Sequence, residues 1–456
     1  MISRTSTSWH RVAQGFLTAF VILIPLSATI GPAHLNIQYA DLAAVGFLLT
    51  AMFSGVWRVH GSRAVWWAAA IYVASLLPSF ASTQHLSTSF VEWIKTVYVV
   101  CIGFTIARWS MVSSAWDQLV RVFAVVVAAL IAFTLAVWGY ATWSGHAPAS
   151  VAVIMAVPNV GQVVRVKGLL LTPTFLANYF TMGVPLLAGY AITHTSWPRV
   201  AGWSTLLLGI VATGMTASHS LAGCLAAAAL MAPRTTRGDR LARRALMLAA
   251  GAAVLFGIVA TTISVYEVHA SSAPASTAPA RAPDHDFLGP HGTGEEGVIR
   301  VHYAWVSYGI FKRLALEAWR RHPWIGMGLG EFPTVVVQAF NEGRIHAYYA
   351  GGAHPHNTWL GAMAESGLIG LTGLLSFWVV LLWEFVSRGA QRHATSVEAW
   401  RWRAPLAGLV GLLINSLHVD VMHFRFLWVG AALLLAATVT TPHRERGRQP
   451  SRKGVA

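Results

Sequence analysis

Cysteine and charge are what this sequence has least of. Its two cysteines, Cys101 and Cys224, each sit inside an apolar run, so there is no disulfide framework and no thiolate metal site. Charged side chains make up only 11% of the 456 residues against 55% hydrophobic ones. That is too little polar surface to coat a soluble globule, and the chain reads as a polytopic membrane protein. Acidic residues are scarcer still, 17 against 32 Lys and Arg, for a formal charge of +15. An excess of that kind raises the question of nucleic acid, which the positions of the basic residues answer, because in membrane proteins such residues collect in cytoplasmic loops.

A helix needs roughly 20 apolar residues to cross ~30 Å of hydrocarbon. Runs of that kind lie near 12–31, 37–57, 64–81, 89–108, 118–140, 169–192, 200–217, 220–233, 245–266, 357–385, 404–420 and 424–441. The expected fold is therefore all-α, with about twelve transmembrane helices and one large outer loop that carries short helices. Nine helices fall in 1–266, with an outer loop at 141–168; the large loop is 267–356; three more helices occupy 357–441; a basic cytoplasmic tail follows at 442–456. The 220–233 run is short and Ala-rich, and Ser218-His219-Ser220 before it reads as the cap of a helical hairpin. The first run follows Arg4 and Arg11, contains Pro25 and has no small-x-small cleavage site, so it is expected to stay as an uncleaved helix. With the amino terminus inside, most Lys and Arg fall on the cytoplasmic side, among them Arg58, Arg63, Arg108, Arg121, Arg199, those of 234–244 and those of the tail. The rest sit mostly in the two long outer loops, where the positive-inside rule has little force, so both termini are expected in the cytoplasm. No nucleic acid is needed to explain the charge.

The large loop opens with an Ala-, Ser- and Pro-rich spacer over 270–290. Its second half, 298–321, interleaves Trp305, Ile310, Phe311, Leu314 and Trp319 with Arg300, Lys312, Arg313, Arg320 and Arg321, which suits one or two helices lying in the membrane interface. Pro323-Trp324-Ile325-Gly326-Met327-Gly328-Leu329-Gly330 then breaks the helix and turns the chain. The Gly-x-Gly-x-Gly run follows a helix rather than a strand and lacks a βαβ unit, so it is not a dinucleotide site.

The segment that draws attention is Ala353-His354-Pro355-His356-Asn357-Thr358-Trp359, which places two imidazoles and an amide at the rim of an apolar run. Either these close a loop with polar interfacial residues, or they do chemistry where water and bilayer meet. A zinc site on His354 and His356 lacks an evident third ligand, and no metal is expected. Glu365 enters the tenth span, as a structural partner in the bundle or as part of a site, while Gly361, Gly367, Gly370 and Gly373 leave room for close approach. His418, Asp420, His423 and Arg425 cluster where the eleventh span leaves on the outer side, completing the site or forming an interfacial network.

His356-Asn357, then nine residues to Gly367 and two more to Gly370, resembles the signature of the O-antigen ligase and polymerase superfamily, which includes bacterial O-oligosaccharyltransferases. Arg165-x-x-Gly168 followed by Thr172-Pro173-Thr174-Phe175 and Asn178 is similar to that superfamily's arginine-glycine-(Asn/Thr)-Pro segment, and His322 to Gly328 with Phe332 to its glycine-rich turn. The likeness covers about 150–440. His219 stands where the superfamily often has an arginine.

The resemblance implies transfer of a glycan from undecaprenyl pyrophosphate to an acceptor hydroxyl on the periplasmic side, without nucleotide, metal or other cofactor, and with inversion at the anomeric carbon. His356 would be the base, since an imidazole of ordinary pKa near 6.5 is largely neutral at neutral pH. Arg165 and a loop arginine, Arg300 or Arg313, would hold the pyrophosphate. His354, Asn357, Glu365 and Gly168 would support the site. Ligation to a lipid A-core sugar is the expected reaction; polymerisation of repeat units and transfer to protein differ only in acceptor. A polyprenyl-lipid or polysaccharide transporter is the competing class, and it predicts ionisable residues along a path through the bundle. Apart from Glu92, Lys95 and Glu365 there are few.

Overall fold

The computed structural model describes residues 4–30, 37–54, 62–112, 115–157, 161–232, 236–270, 304–345, 354–389 and 399–439. In chain order the elements are α1 (Arg4–Leu23), β1 (Thr29–Ile30), β2 (Ile37–Gln38), α2 (Tyr39–Phe53), α3 (Arg63–Ser75), α4 (Leu86–Val112) and α5 (Ala115–Ser144). Next come β3 (Ala152–Val157), β4 (Gly161–Val166), α6 (Pro173–His194), α7 (Pro198–Gly214), α8 (Leu221–Met231) and α9 (Arg237–Ala270). The chain ends with α10 (Ala304–Arg321), α11 (Phe332–Asn341), α12 (Thr358–Gly389), α13 (Ala399–Asn415) and α14 (Arg425–Val439). The fold is thus helical, as its composition requires, and a helix lies at each apolar run. Among the described residues, five helical stretches, Arg63–Ala81, Leu86–Met111, Ala115–Ser144, Pro173–His194 and Thr358–Ser387, are long and apolar enough to cross a membrane. The spacer of the large loop, Arg300, Pro158, Asn159 and the basic tail lie outside the described residues.

Two small antiparallel hairpins depart from an all-helical reading. β1 pairs with β2, and β3 pairs with β4 with Val153 opposite Arg165. The second arises where Ala-Val-Ile-Met-Ala-Val and Gly-Gln-Val-Val-Arg-Val place β-branched residues in two short runs.

α6 is the buried centre. Thr172 caps it, accepting from the Phe175 amide at 3.3 Å, and Pro173 starts it with a fixed φ. Inside, a polar network joins α6 to α8 and α13. Asn178 Nδ2 donates to Ser220 Oγ at 2.8 Å, Asn415 Nδ2 donates to Asn178 Oδ1 at 2.9 Å, and the Gly223 amide donates to Asn415 Oδ1 at 3.0 Å. A buried amide that is fully bonded fixes one register, whereas an unpaired one costs about 1–3 kcal/mol. This network sets the turn before α8 and the end of α13, two of the segments that build the site.

The turn at 322–331 docks on α12. Gly367, with φ +64 and ψ −164, interrupts that helix, and a Cβ there would lie 2.3 Å from the carbonyl carbon of Trp324. The broken helix leaves amides and carbonyls without helical partners, and the turn supplies them. Leu368 and Ile369 donate to the carbonyls of Pro323 and Trp324 at 2.9 and 3.1 Å; Met327 and Gly328 donate to those of Ala364 and Glu365, both at 3.0 Å. Of the close approaches expected at the α12 glycines, the one at Gly367 is made by this turn, and the one at Gly373 by Ser75 and Tyr72 of α3. α10 differs from the interfacial helix expected. Its stripe of Phe311, Leu314, Ala315 and Ala318 is buried with Phe332 and Val336 of α11 and Ala364 of α12, so protein covers it.

Candidate functional site

Five segments from across the sequence meet at one end of the bundle. β4 brings Arg165; the turn between α7 and α8 brings His219; α10 brings Tyr308 and Lys312; the segment before α12 brings His356; and the turn between α13 and α14 brings His418 and Asp420. Each placement has a local cause. β4 is tied to the end of α7 by the Val166 amide, which donates to the Met215 carbonyl at 3.1 Å, and Arg165 Nε donates to the Thr216 carbonyl at the same distance. Gly168, with φ +63, then turns the chain toward α6.

Asn357 and Thr358 stitch the start of α12 to the α13–α14 turn. Asn357 Oδ1 accepts from the Leu360 amide at 2.9 Å as a helix cap, and its Nδ2 donates to the Leu417 carbonyl at 2.9 Å. The Thr358 hydroxyl donates to the Val419 carbonyl at 3.0 Å, and its amide donates to the Ser416 carbonyl at 2.9 Å. These bonds hold the turn that carries His418 against the start of α12 and bring Asp420 to act on His356.

Among the described residues, two that are not glycine have left-handed φ: Ala217 at +44 and His356 at +51. Ala217 lies two residues before His219, so both belong to the turns that present an imidazole here. For a residue with a Cβ this conformation costs about 1–2 kcal/mol, and such strain concentrates at functional sites.

The rings pack into a cluster. His356 and Tyr308 have ring centroids 4.4 Å apart, His356 and Phe311 5.8 Å, His219 and Tyr308 5.7 Å, and His219 and His418 6.1 Å. Lys312 Nζ lies 3.4 Å from His418 Nδ1. The field is positive. Burial, with His354, Lys312 and His219, pushes the His356 imidazole down to about 4, and only Asp420 opposes it. Burial, then Arg165 and Lys312, pushes His219 down to about 4; burial, then Lys312 and His219, does the same for His418. Burial alone brings the Lys312 ammonium down to about 8. At neutral pH the three imidazoles are neutral and the lysine is mostly charged, so the cluster sets a cation beside neutral bases.

A cavity of about 600 Å³ adjoins the cluster, with His354 and Asp420 on its wall. Leu170, Leu171, Phe175 and Phe424 give it an apolar side. Its polar side is charge-paired: Arg425 Nε donates to Asp41 Oδ1 at 2.7 Å, Tyr98 donates to the same oxygen at 2.7 Å, and Lys95 meets Glu92 at 2.6 Å.

Of the residues expected from sequence, His356 and Arg165 are brought to the cluster, His354 to the cavity wall beside it and Gly168 to the backbone turn below it. Asn357 serves as cap and tie. Glu365 accepts from the Phe332 amide at 3.4 Å and holds α11 against α12, a structural post. Arg313 points elsewhere, pairing with Glu317 at 3.0 Å on an exposed face. Its neighbour Lys312 is the loop cation at the site. The signal was helical spacing, since Tyr308, Phe311 and Lys312 stand at i, i+3 and i+4 on one face, and Arg313 is turned about 100° away. His219 is more than part of a hairpin cap. The serines serve that turn, Ser218 Oγ accepting from the Ser220 amide at 3.3 Å, while the imidazole joins the cluster. Among the described residues, no three His, Cys, Asp or Glu side chains converge as a metal-binding group. No protein-family model matches the chain, and no curated protein is significantly similar to it.

Proposed function

We propose that the chain is a membrane glycosyltransferase of the O-antigen ligase type, moving a glycan from undecaprenyl pyrophosphate to a sugar hydroxyl of lipid A-core on the periplasmic face of the bacterial inner membrane. The observation that carries this reading is a cluster in which Lys312 acts on a strained, neutral imidazole at His356 and Arg165 on the neighbouring His219 and Tyr308, next to a cavity lined by both apolar and charged side chains. A pyrophosphate is already a good leaving group, so the protein has to supply cations for the departing charge and a base for the attacking hydroxyl. Arg165 and Lys312 serve the first need, and His356 the second. The acceptor oxygen gives its proton to His356 and bonds to the anomeric carbon as the bond to the pyrophosphate oxygen breaks. That oxygen leaves with the electron pair, and the anomeric centre inverts. The apolar wall suits a substrate carried on a lipid chain.

The topology that goes with this reading has twelve spans, both termini in the cytoplasm and 267–356 outside. Support comes from how the site is assembled: the starts of α6, α8, α12 and α14 and the ends of α7 and α13 all meet at it. An alternating path from a cytoplasmic amino terminus puts all of these ends on the outer side.

The charged pairs of the cavity bear on the transporter alternative. Asp41 lies in the first turn of α2, Arg425 begins α14, and Glu92 and Lys95 fall in the first three turns of α4. All sit at one end of their helices, a layer rather than a path across the bundle, which favours transfer over transport. The acceptor is tested by deleting the gene and analysing surface polysaccharide. Ligation predicts long polymer retained on undecaprenyl pyrophosphate while lipid A-core stays bare. A core bearing a single repeat unit would instead identify a polymerase, and unchanged lipid A-core with an underglycosylated protein would identify an oligosaccharyltransferase.

A further inference from the structure

His418 has one ring nitrogen accounted for and one not. It follows α13, its amide donating to the Asn415 carbonyl at 2.8 Å, and its side chain is buried, at 6% exposure. Nδ1 faces Lys312 Nζ at 3.4 Å. An ammonium can only donate, so Nδ1 has to accept, and the neutral ring carries its proton on Nε2. Nε2 is buried and has no hydrogen-bond partner among the described residues. A buried N–H without an acceptor is costly, and a ligand that supplies one recovers the loss. The groups acting electrostatically on the ring are Lys312 from α10 and His219 from the α7–α8 turn, both of which disfavour a charged imidazole. The Asn357 amide of the α12 cap holds the backbone beside it through the Leu417 carbonyl. A neutral donor in a positive field selects an anionic oxygen over a hydroxyl.

We propose that His418, held as its Nε2–H tautomer by the Lys312 ammonium, is a hydrogen-bond donor to a pyrophosphate oxygen of the lipid-linked glycan. The assignment rests on the transferase reading and adds a binding residue that the family-like motifs do not contain. No proton leaves His418 during transfer; the donor stabilises charge and stays as it was. Lys312 is a positioning residue for the ring as well as a cation for the ligand.

The test is binding of inorganic pyrophosphate to the purified full-length protein in detergent, followed by calorimetry. His418→Gln puts an amide donor near the Nε2 position and should bind within about threefold of wild type. His418→Asn, whose donor falls near Nδ1 and faces the lysine, and His418→Leu should each weaken binding about ten- to a hundredfold, the range for a hydrogen bond to a charged group. Wild-type affinity should also fall as pH rises through about 8, where the Lys312 ammonium is lost, and Lys312→Arg should keep its affinity above that pH. Thermal unfolding of each variant separates lost binding from lost fold, and Gln keeps the test open if Leu does not fold. Equal affinity for wild type and Leu, with Arg165→Ala impaired, would overturn the His418 donor alone. Absence of pyrophosphate binding in wild type would remove the anion site and this inference with it.

Discussion

The left-handed backbone at His356 makes a prediction that separates chemistry from architecture. A residue with a Cβ held at φ +51 carries about 1–2 kcal/mol of strain, which glycine removes and alanine retains. Glycine gives back about 0.5–1 kcal/mol because its unfolded chain is freer. Both substitutions lose the ring contact with Tyr308 at 4.4 Å, and such aromatic pairs contribute roughly 0.5–1.5 kcal/mol. His356→Gly should therefore be close to wild type in stability, and His356→Ala should fall below His356→Gly by about 0.5–1 kcal/mol. This reverses the usual ranking of the two residues in ordered structure. Thermal or denaturant unfolding of the three proteins in one detergent measures the order. Transfer should drop about 10²- to 10⁴-fold in both variants, the usual worth of a general base. An alanine variant as stable as the glycine one would refute the strained turn. Near-normal transfer by either folded variant would refute His356 as the base.

Two further outcomes follow from the same geometry. The profile of kcat/KM against pH should be a bell. Its acid limb lies near 4, where His356 takes up a proton, and its basic limb near 8, where Lys312 loses one; Lys312→Arg should carry the basic limb upward. Initial rates across about pH 4–9 test this, and a basic limb unmoved by Lys312→Arg would count against that residue. Gly367→Ala should destabilise by several kcal/mol, through about 1–3 for the backbone conformation and about 0.5–1.5 for each displaced bond of the 323–328 turn. Gly251→Ala in α9, where an added Cβ meets nothing within 4 Å, should be neutral or stabilising. Equal unfolding midpoints for the two would refute the docking of that turn.

Apolar run length placed the helices, because burial in a long helix needs only composition. The turn at Pro323–Gly330 was also legible, since proline and three glycines leave the chain little else to do. What sequence did not give was convergence. Arg165, His219, Lys312, His356 and His418 span more than half the chain, and the bonds that gather them run through backbone carbonyls at Thr216, Met215, Ser416 and Leu417, which carry no sequence signature. The hairpin carrying Arg165 falls in the expected outer loop at 141–168, because six-residue strands beside long helices are weak signals. Finding Lys312 in place of Arg313 needed the phase of α10, and that phase is set by the apolar residues that face α11 and α12. Asn357 illustrates the opposite case. It sat in a motif that pointed to chemistry, and its side chain is spent on a helix cap and a tie.

The depressed imidazole at His356 looks at first like an argument against a base, since a group with pKa about 4 accepts protons poorly. The cause of the depression resolves this. After burial it is the neighbouring basic groups that lower it, Lys312 being the charged one at neutral pH, and the substrate proposed above is an anion that would oppose them. One negative charge about 5 Å away at an effective dielectric of about 20 is worth about 3 kcal/mol, or roughly two pK units. Bound pyrophosphate would thus return His356 to near the ordinary imidazole value, and the base would become effective only with the donor in place. An acceptor hydroxyl or a water arriving first would meet a poor base. The order of events is then written into the electrostatics, and it has a kinetic sign: the acid limb of kcat, which reports the complex, should lie above that of kcat/KM, which reports the free protein. Coincident acid limbs near 4 would mean that the anion does not act on His356, and the base would have to be sought elsewhere in the cluster.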